Sequence, residues 1–302
     1  MANSIALAQK YLPLLDEVYK RSSLTANLDL ANDMVKFDGS NAVKIFKTSM
    51  NGLGNYSRSN GFVDGDVTGT WETLTLSKDR ARSFSIDRMD NEETLGQAFG
   101  TLAGEFIRTQ VVPEIDAYRF ATYAGTANIL SAQADIATGT DVVALIDTAE
   151  AEMGDNEVPY EGRVLYVSEA TYKALKSKIT RYVDNSVVGV NREIEVYDNM
   201  PVVRVPKGRF NTGITLYDGT SSGQTAGGYV VPKSTSYAIN FMIIHPSAVV
   251  QVTKHTMLRV FEPDVNQQKD AWKFDYRIYH DAFVLENKVK GIYLHKAATA
   301  NA

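Results

Sequence analysis

The residue types that carry out chemistry are few in this chain, and their spacing is poor for it. There is no cysteine, which removes disulfides, zinc–thiolate centres and thiol nucleophiles together. The four histidines, His245, His255, His280 and His295, are scattered. None has a second histidine three to five residues away, so no zinc-type ligand pair forms along the chain. Asp64, Asp66, Thr68 and Gly69 occupy positions one, three, five and six of a calcium-loop pattern, but position twelve is Thr75 where a bidentate Glu is needed. A polar turn fits that stretch better. Asn55-Tyr56-Ser57 matches a glycosylation acceptor, which is coincidental in a chain whose first residues show no secretion signal. "RVLYVSEATYKAL" has the strand–turn–helix order of nucleotide sites, yet no glycine fingerprint or phosphate loop accompanies it. Ser168 sits in no nucleophile elbow and reads as a helix cap. "GTSSGQTAGG" lacks a lysine and reads as a hairpin loop. Carboxylate pairs such as Glu92/Glu93 and Glu150/Glu152 lie in polar, helix-like surroundings, where no carboxyl is expected to be held protonated. The expected inventory is therefore no catalytic residue, no cofactor and no metal.

The bulk numbers agree. The 302 residues are 44% hydrophobic and 22% charged, with a formal net charge of -5. A chain that gripped nucleic-acid phosphates over its whole surface would be basic. No run approaches the ~18 apolar residues of a membrane span. "YAINFMIIHPSAVVQV" is broken by Asn240, His245, Pro246 and Ser247.

What the sequence does offer is elements. Residues 4–20 are weakly amphipathic around Pro13, an arm whose apolar side needs a partner surface. Ala42 to Met50 alternates like a strand, and Asn51-Gly52 is a strong turn dipeptide. After the Gly-, Asn- and Ser-rich "NYSRSNGFVDGDVTGTW", alternation resumes through "TWETLTLSKDRARSFSID". Two alternating arms around a polar tip predict a long β-hairpin. Asp90 or Asn91 can cap a helix with Glu92 and Glu93 in its first turn. Leu95, Phe99, Leu102, Phe106 and Ile107 continue it, and the pattern runs past Pro113 to Tyr123. That is roughly 45 Å if unbroken, and the proline should bend or restart it. A mixed α/β middle follows, with helices capped by Thr140 and Ser168. A long strand begins near Trp272, a shorter one spans Gly291 to Lys296, and "AATANA" reads as a loose tail. Charge is patterned: Lys78, Arg80, Arg82 and Arg88 cluster on the hairpin's returning arm, with Glu92 and Glu93 just beyond. An extended hairpin has no core of its own for such charges, so pairing between copies is the sharper expectation. Arg58 and Trp71 join that set of intersubunit-contact candidates.

The order of these elements resembles the Hong Kong 97-type major capsid proteins of tailed bacteriophages. "GDVTGTWETLTLSKDRARSFSIDRMDNEE" looks like the family's extended loop, the E-loop, leading into a helix. "LGQAFGTLAGEFIRTQVVPEIDAYRFATYAG" looks like its spine helix. "GRVLYVSEATYKALK" with "EIEVYDNMPVVRVPKGRF" looks like the axial domain, and "FDYRIYHDAFVLENKVKGIYLHKA" like the closing strand of the peripheral domain. The resemblance implies an α+β fold: an N-terminal arm (1–35), the E-loop with flanking strands (36–90), the spine helix of the peripheral domain (91–130), an axial α/β domain (131–260), and the peripheral long strand with the C-terminal tail (261–302). It implies a non-enzymatic shell subunit that forms pentamers and hexamers of itself. That shell, a virion capsid assembled in the host cytoplasm, encloses double-stranded DNA without reading its sequence. Scaffolding, portal and decoration proteins are implied partners, with no membrane. Only about 35 residues precede the first strand, so scaffolding is expected from a separate protein. The tip carries no lysine, so a non-covalent shell is expected. The alternative within the same fold is an encapsulin-type compartment around an enzyme cargo.

Overall fold

The computed structural model describes residues 23–28, 36–37, 42–59, 61–89, 97–136, 140–178 and 193–301. The expected arm helix (4–20), the Asp90/Asn91 cap, Glu92 and Glu93 lie outside them. Four sheets organise the rest.

The hairpin is β2 (Ala42–Met50) against β3 (Val67–Thr75), antiparallel from Ala42↔Thr75 to Met50↔Val67. A short β1 (Lys36–Phe37) pairs with the start of β2. The returning arm is shorter than the alternation suggested. It ends at Thr75, and after two residues β4 (Lys78–Asp87) leaves for another sheet. Alternation alone cannot show this change of sheet, because β3 and β4 keep the same period on either side of the corner.

That second sheet has the order β12-β13-β4 and is antiparallel throughout. Its centre is β13 (Ala271–Val284), the long strand expected near Trp272, flanked by β4 and by β12 (Val249–Phe261). The long helix lies on it: α1 (Gln97–Phe106), a π-helical turn (Ile107–Val111) and α2 (Val112–Ala124). Together they run roughly 40 Å. Pro113 neither breaks nor restarts this helix. The N–H of Val112 bonds back to the carbonyl of Ile107, five residues earlier, so the widened turn just before the proline absorbs its missing donor and ring. Ile107, Val111, Val112 and Ile115 pack on Leu258, Phe274, Tyr276 and Ile278 of the sheet. The apolar parity of β13 selects this face.

The third unit is a six-stranded sheet, β5-β14-β11-β6-β8-β7. It comprises β5 (Leu130–Gln133), β6 (Val164–Ser168), β7 (Val196–Tyr197), β8 (Met200–Val205), β11 (Tyr237–Ile244) and β14 (Ile292–Ala300). Strict alternation divides its two faces. Leu165, Val167, Phe241, Ile243 and Tyr293 meet α3 (Val142–Asp155) and α4 (Glu169–Lys178). Tyr166, Met242, Ile244 and Leu294 meet Phe120, Tyr123 and Phe210 behind them. Burial on both faces is why "VLYV" and "FMII" are continuously apolar. The last helix is capped as expected, with the Thr171 N–H donating to Ser168 Oγ (3.2 Å). α3 has Asp141 in the capping position where Thr140 was expected, and no side chain caps it.

Two further placements differ from the sequence reading. "AATANA" is not loose: β14 runs to Ala300, and Asn301 donates to Ser236 O (2.8 Å) and, through its side chain, to Asn211 Oδ1 (3.0 Å). β14 and β12 also exchange the surroundings expected of them. The chain's last strand lies inside the six-stranded sheet, whereas β12 belongs with β13. Sequence order gives no hint of that exchange. A final two-stranded ribbon, β9 (Thr215–Leu216) with β10 (Tyr229–Val230), presents the expected Gly-rich loop.

Arg163 is the largest side chain fully buried in this fold. Its guanidinium donates to the carbonyls of Pro159 (2.8 Å), Val158 (2.6 Å) and Glu150 (3.2 Å) and stacks on Tyr160. Arg163→Met should lower stability by about 3 kcal/mol or more, because each orphaned buried carbonyl costs on the order of 1–3 kcal/mol. Arg163→Lys should recover little, since one ammonium cannot span three acceptors. Urea midpoints measure both.

Candidate assembly interface

The hairpin meets the body at one corner, Leu76–Ser77. Asp281, buried on β13, accepts from the Ser77 N–H (2.8 Å) and Ser77 Oγ (3.0 Å) through Oδ2. Its Oδ1 accepts from Tyr118 Oη (2.6 Å) on α2 and from the Ala282 N–H (2.9 Å). Burial, and then the Asp281 carboxylate, hold the Tyr118 phenol well above its ordinary range. Tyr279 Oη donates to the Leu76 carbonyl (2.8 Å). Val43 and Leu76 pack on Val250 and Val252 beneath the corner. One turn higher, Lys47 bridges Glu72 (2.7 Å) and Glu286 (2.5 Å), and both carboxylates raise the pKa of the lysine.

Beyond that base the hairpin has two unlike faces. Val43, Ile45 and Lys47 point to the body. On the other face, Phe46 opposes Trp71, Thr48 opposes Gly69 and Met50 opposes Val67. The Phe46 and Trp71 rings sit 5.1 Å apart, and Phe46 lies across Gly69, where a Cβ would come within 2.4 Å of its ring. An aromatic covering a cross-strand glycine pins the register of the pair. The tip closes with the Asn51 N–H on Asp66 O (3.2 Å), and a Ser57↔Gly61 bridge sits inside it. There Tyr56 and Phe62 pack edge to face at 5.0 Å.

This outer face is apolar. Of thirteen large hydrophobic residues exposed among the described residues, eight lie between Phe46 and Trp71. Trp71 is 63% exposed and Phe62 89%. Reading the stretch as polar missed this, because glycine and serine outnumber the apolar residues there. The signal was available in the shared parity of Phe46 and Met50 on one arm and Val67 and Trp71 on the other.

The expected contact residues divide. Arg58 at the tip and Trp71 are exposed. Lys78, Arg80, Arg82 and Arg88 stand on or just past β4 and not on the hairpin arm, and each has partners within its own chain. Arg80 donates to both oxygens of Glu114 (2.6 and 3.1 Å) and to the carbonyls of Tyr217 (2.7 Å) and Gly228 (3.3 Å). Arg82 reaches Thr225 O (3.3 Å), Lys78 lies over the Tyr118 ring, and Arg88 pairs with Asp264 (3.2 Å). The expectation that these cations need a neighbouring copy is corrected most clearly at Arg80, which clamps the 217–228 loop to the long helix. Between that loop, β4 and the helix opens a cavity of about 640 Å³, lined by Phe84, Phe106, Tyr276 and Ile278 among others.

No group of three or more His, Asp or Glu side chains among the described residues could hold a metal ion. His280 is buried beside the hairpin corner, edge-on to Tyr118. Burial, and then the nearby Arg119, push it down to about 4.

No family model matches the sequence, and no curated protein does. Solved structures do. The capsid of cyanophage P-SCSP1u matches with a TM-score of 0.58 at 12% identity, over 88% of this chain and 86% of that one. A structure from Mycobacterium phage Che8 matches at 0.56 and 16% identity, over 85% and 84%. A virus-like particle from Pyrococcus furiosus matches at 0.53 and 12%, over 96% and 99%. The fold is that of the Hong Kong 97-type capsid proteins. In its terms β2–β3 is the E-loop and α1–α2 the spine helix.

Two experiments test the corner. Asp281→Ala should leave the Ser77 N–H and Tyr118 unsatisfied and increase protease cleavage at residues 76–78, whereas Tyr279→Phe should have a smaller effect. The lowered pKa of His280 stabilises the fold above the unfolded value near 6.5, and stability declines as pH falls from there toward 4. His280→Gln should flatten part of that slope in denaturation midpoints measured across pH 4–7.

Proposed function

We propose that this chain is the major shell subunit of a tailed phage head. It assembles with copies of itself into pentamers and hexamers that close an icosahedral capsid around packaged double-stranded DNA. The observation that carries this reading is the apolar outer face of the E-loop. A hairpin that is anchored at its base and exposes eight large hydrophobic residues is built to be covered, and soluble monomers rarely leave such patches open. Coverage by another copy, as in the capsid assemblies of this fold, supplies the missing surface. The net charge of -5 suits a container that must hold condensed DNA without gripping it.

The finer parts of the reading follow from the same basis. The arm (1–35) and E-loop reach over neighbours, the axial domain gathers around the symmetry axes, and the peripheral domain links capsomers. A separate scaffolding protein and a portal act in assembly, decoration proteins are compatible with the outer face, and the shell is non-covalent and non-enzymatic. Near-complete mutual coverage with the virus-like particle from Pyrococcus furiosus supports a second reading, a protein compartment around an enzyme cargo.

Expression of the chain, with its scaffolding partner where needed, should give closed particles by electron microscopy and one unlinked band on a denaturing gel. A chain that stays monomeric at every concentration overturns the proposal. Nucleic acid inside particles from infected cells favours the head, and protein cargo favours the compartment. Deleting residues 55–69 should leave a folded subunit, with circular dichroism little changed, that assembles poorly.

A further inference from the structure

We infer that the cavity between the spine helix, β4 and the 217–228 loop is the receptor for the E-loop tip of a second copy. The inference rests on the shell reading above and names the receiving surface that reading leaves open.

The tip presents the Tyr56–Phe62 aromatic pair with Leu53 and Val63, all strongly exposed. Their exposure shows that the chain's own cavity does not receive them. The cavity offers a matching lining. Phe84 meets Phe106 edge-on at 4.9 Å, Phe106 meets Tyr276 at 5.9 Å, and Ile278 and Leu102 complete the apolar part. At about 640 Å³ it falls within the ~300–1,000 Å³ of concave sites that enclose a ligand. Rigid aromatic anchors entering a desolvated pocket are what dominate interface energies.

Charge supports the same occupant. The mouth carries exposed Arg82 on β4 and Glu105 on the helix. The tip carries Asp64 and Asp66 on one side of the aromatic pair in sequence and Arg58 on the other, so both signs have a counterpart. His280 adds a second observation: it lines the cavity, is 2% exposed, and its Nδ1 has no partner in the single chain. A backbone group of an inserted tip can supply one. Knob and socket are different patches of one chain, so the contact is heterologous, and repeated by rotation it closes a ring.

The chain has no cysteine, which makes the test direct. Phe62→Cys and Thr109→Cys place one thiol on the tip and one at the cavity mouth, both at exposed positions. Gln110→Cys serves if Thr109→Cys alters the circular dichroism spectrum. The two single variants are co-assembled and treated with a short bis-maleimide. A covalent dimer that needs both variants is expected, with neither alone giving more than a background band. Particles that form without this dimer overturn the inference and leave the shell reading intact. Failure to form particles at all overturns the shell reading, and this inference with it. As a second readout, Phe62→Asp should raise the concentration needed for assembly at least about tenfold while the subunit stays folded, and an unchanged threshold counts against the socket.

Discussion

A single buried carboxylate, Asp281, occupies the point at which the chain turns from the E-loop into the body. Both its oxygens are used: one holds the main chain and side chain of Ser77, and the other holds Tyr118 of the spine helix. Three elements distant in sequence meet on one residue of the central strand β13. A buried charge retained this way is worth having only if every acceptor position is filled, and here the hydrogen bonds fill them. The angle at which the hairpin leaves the body, and so the place its tip can reach, depends on that junction. The Lys47 bridge to Glu286 fixes the same angle from the hairpin's side.

Above the junction the molecule reverses the usual distribution of apolar surface. Its body buries aromatic residues in alternating strands and one long helix, while the hairpin displays Phe46, Trp71, Phe62 and Leu53 to solvent. Both halves follow from one constraint. A two-stranded ribbon has no second layer, so any hydrophobic side chain on its outer face stays uncovered until another molecule arrives. Within the ribbon, Phe46 over Gly69 and the Tyr56–Phe62 pair keep the strands in register while they wait.

The spine helix shows how local chemistry is reconciled with a global need. Continuity is required because the helix spans from the β12–β13–β4 sheet to the six-stranded sheet, packing Ile107 on the first and Phe120 on the second. Pro113 opposes continuity. The π-helical turn at Ile107–Val111 settles the conflict by shifting the hydrogen-bond ladder by one residue before the proline.

Much of this was legible in the sequence. Alternation marked β2, β3 and β13, apolar spacing marked the long helix, and the absence of cysteine and of paired histidines emptied the catalytic inventory. Those features are local, and a period of two or of 3.6 residues is written directly into the chain. Three things were not legible. The corner at Leu76–Ser77 keeps the strand period on both sides, so the return arm looked longer than it is and Arg80 looked free. β12 and β14 each look like a strand, but which sheet takes them is decided by partners far away in sequence. Ser-, Asn- and Gly-rich composition hid the apolar face of the hairpin, because exposure depends on what covers a residue and not on its type. The sequence by itself determined the elements, their order and the lack of a reactive site. Only the tertiary structure decided where each strand pairs, which cations are already satisfied, and which hydrophobic face is left for a neighbour, since pairing and burial are long-range properties that local patterning does not encode.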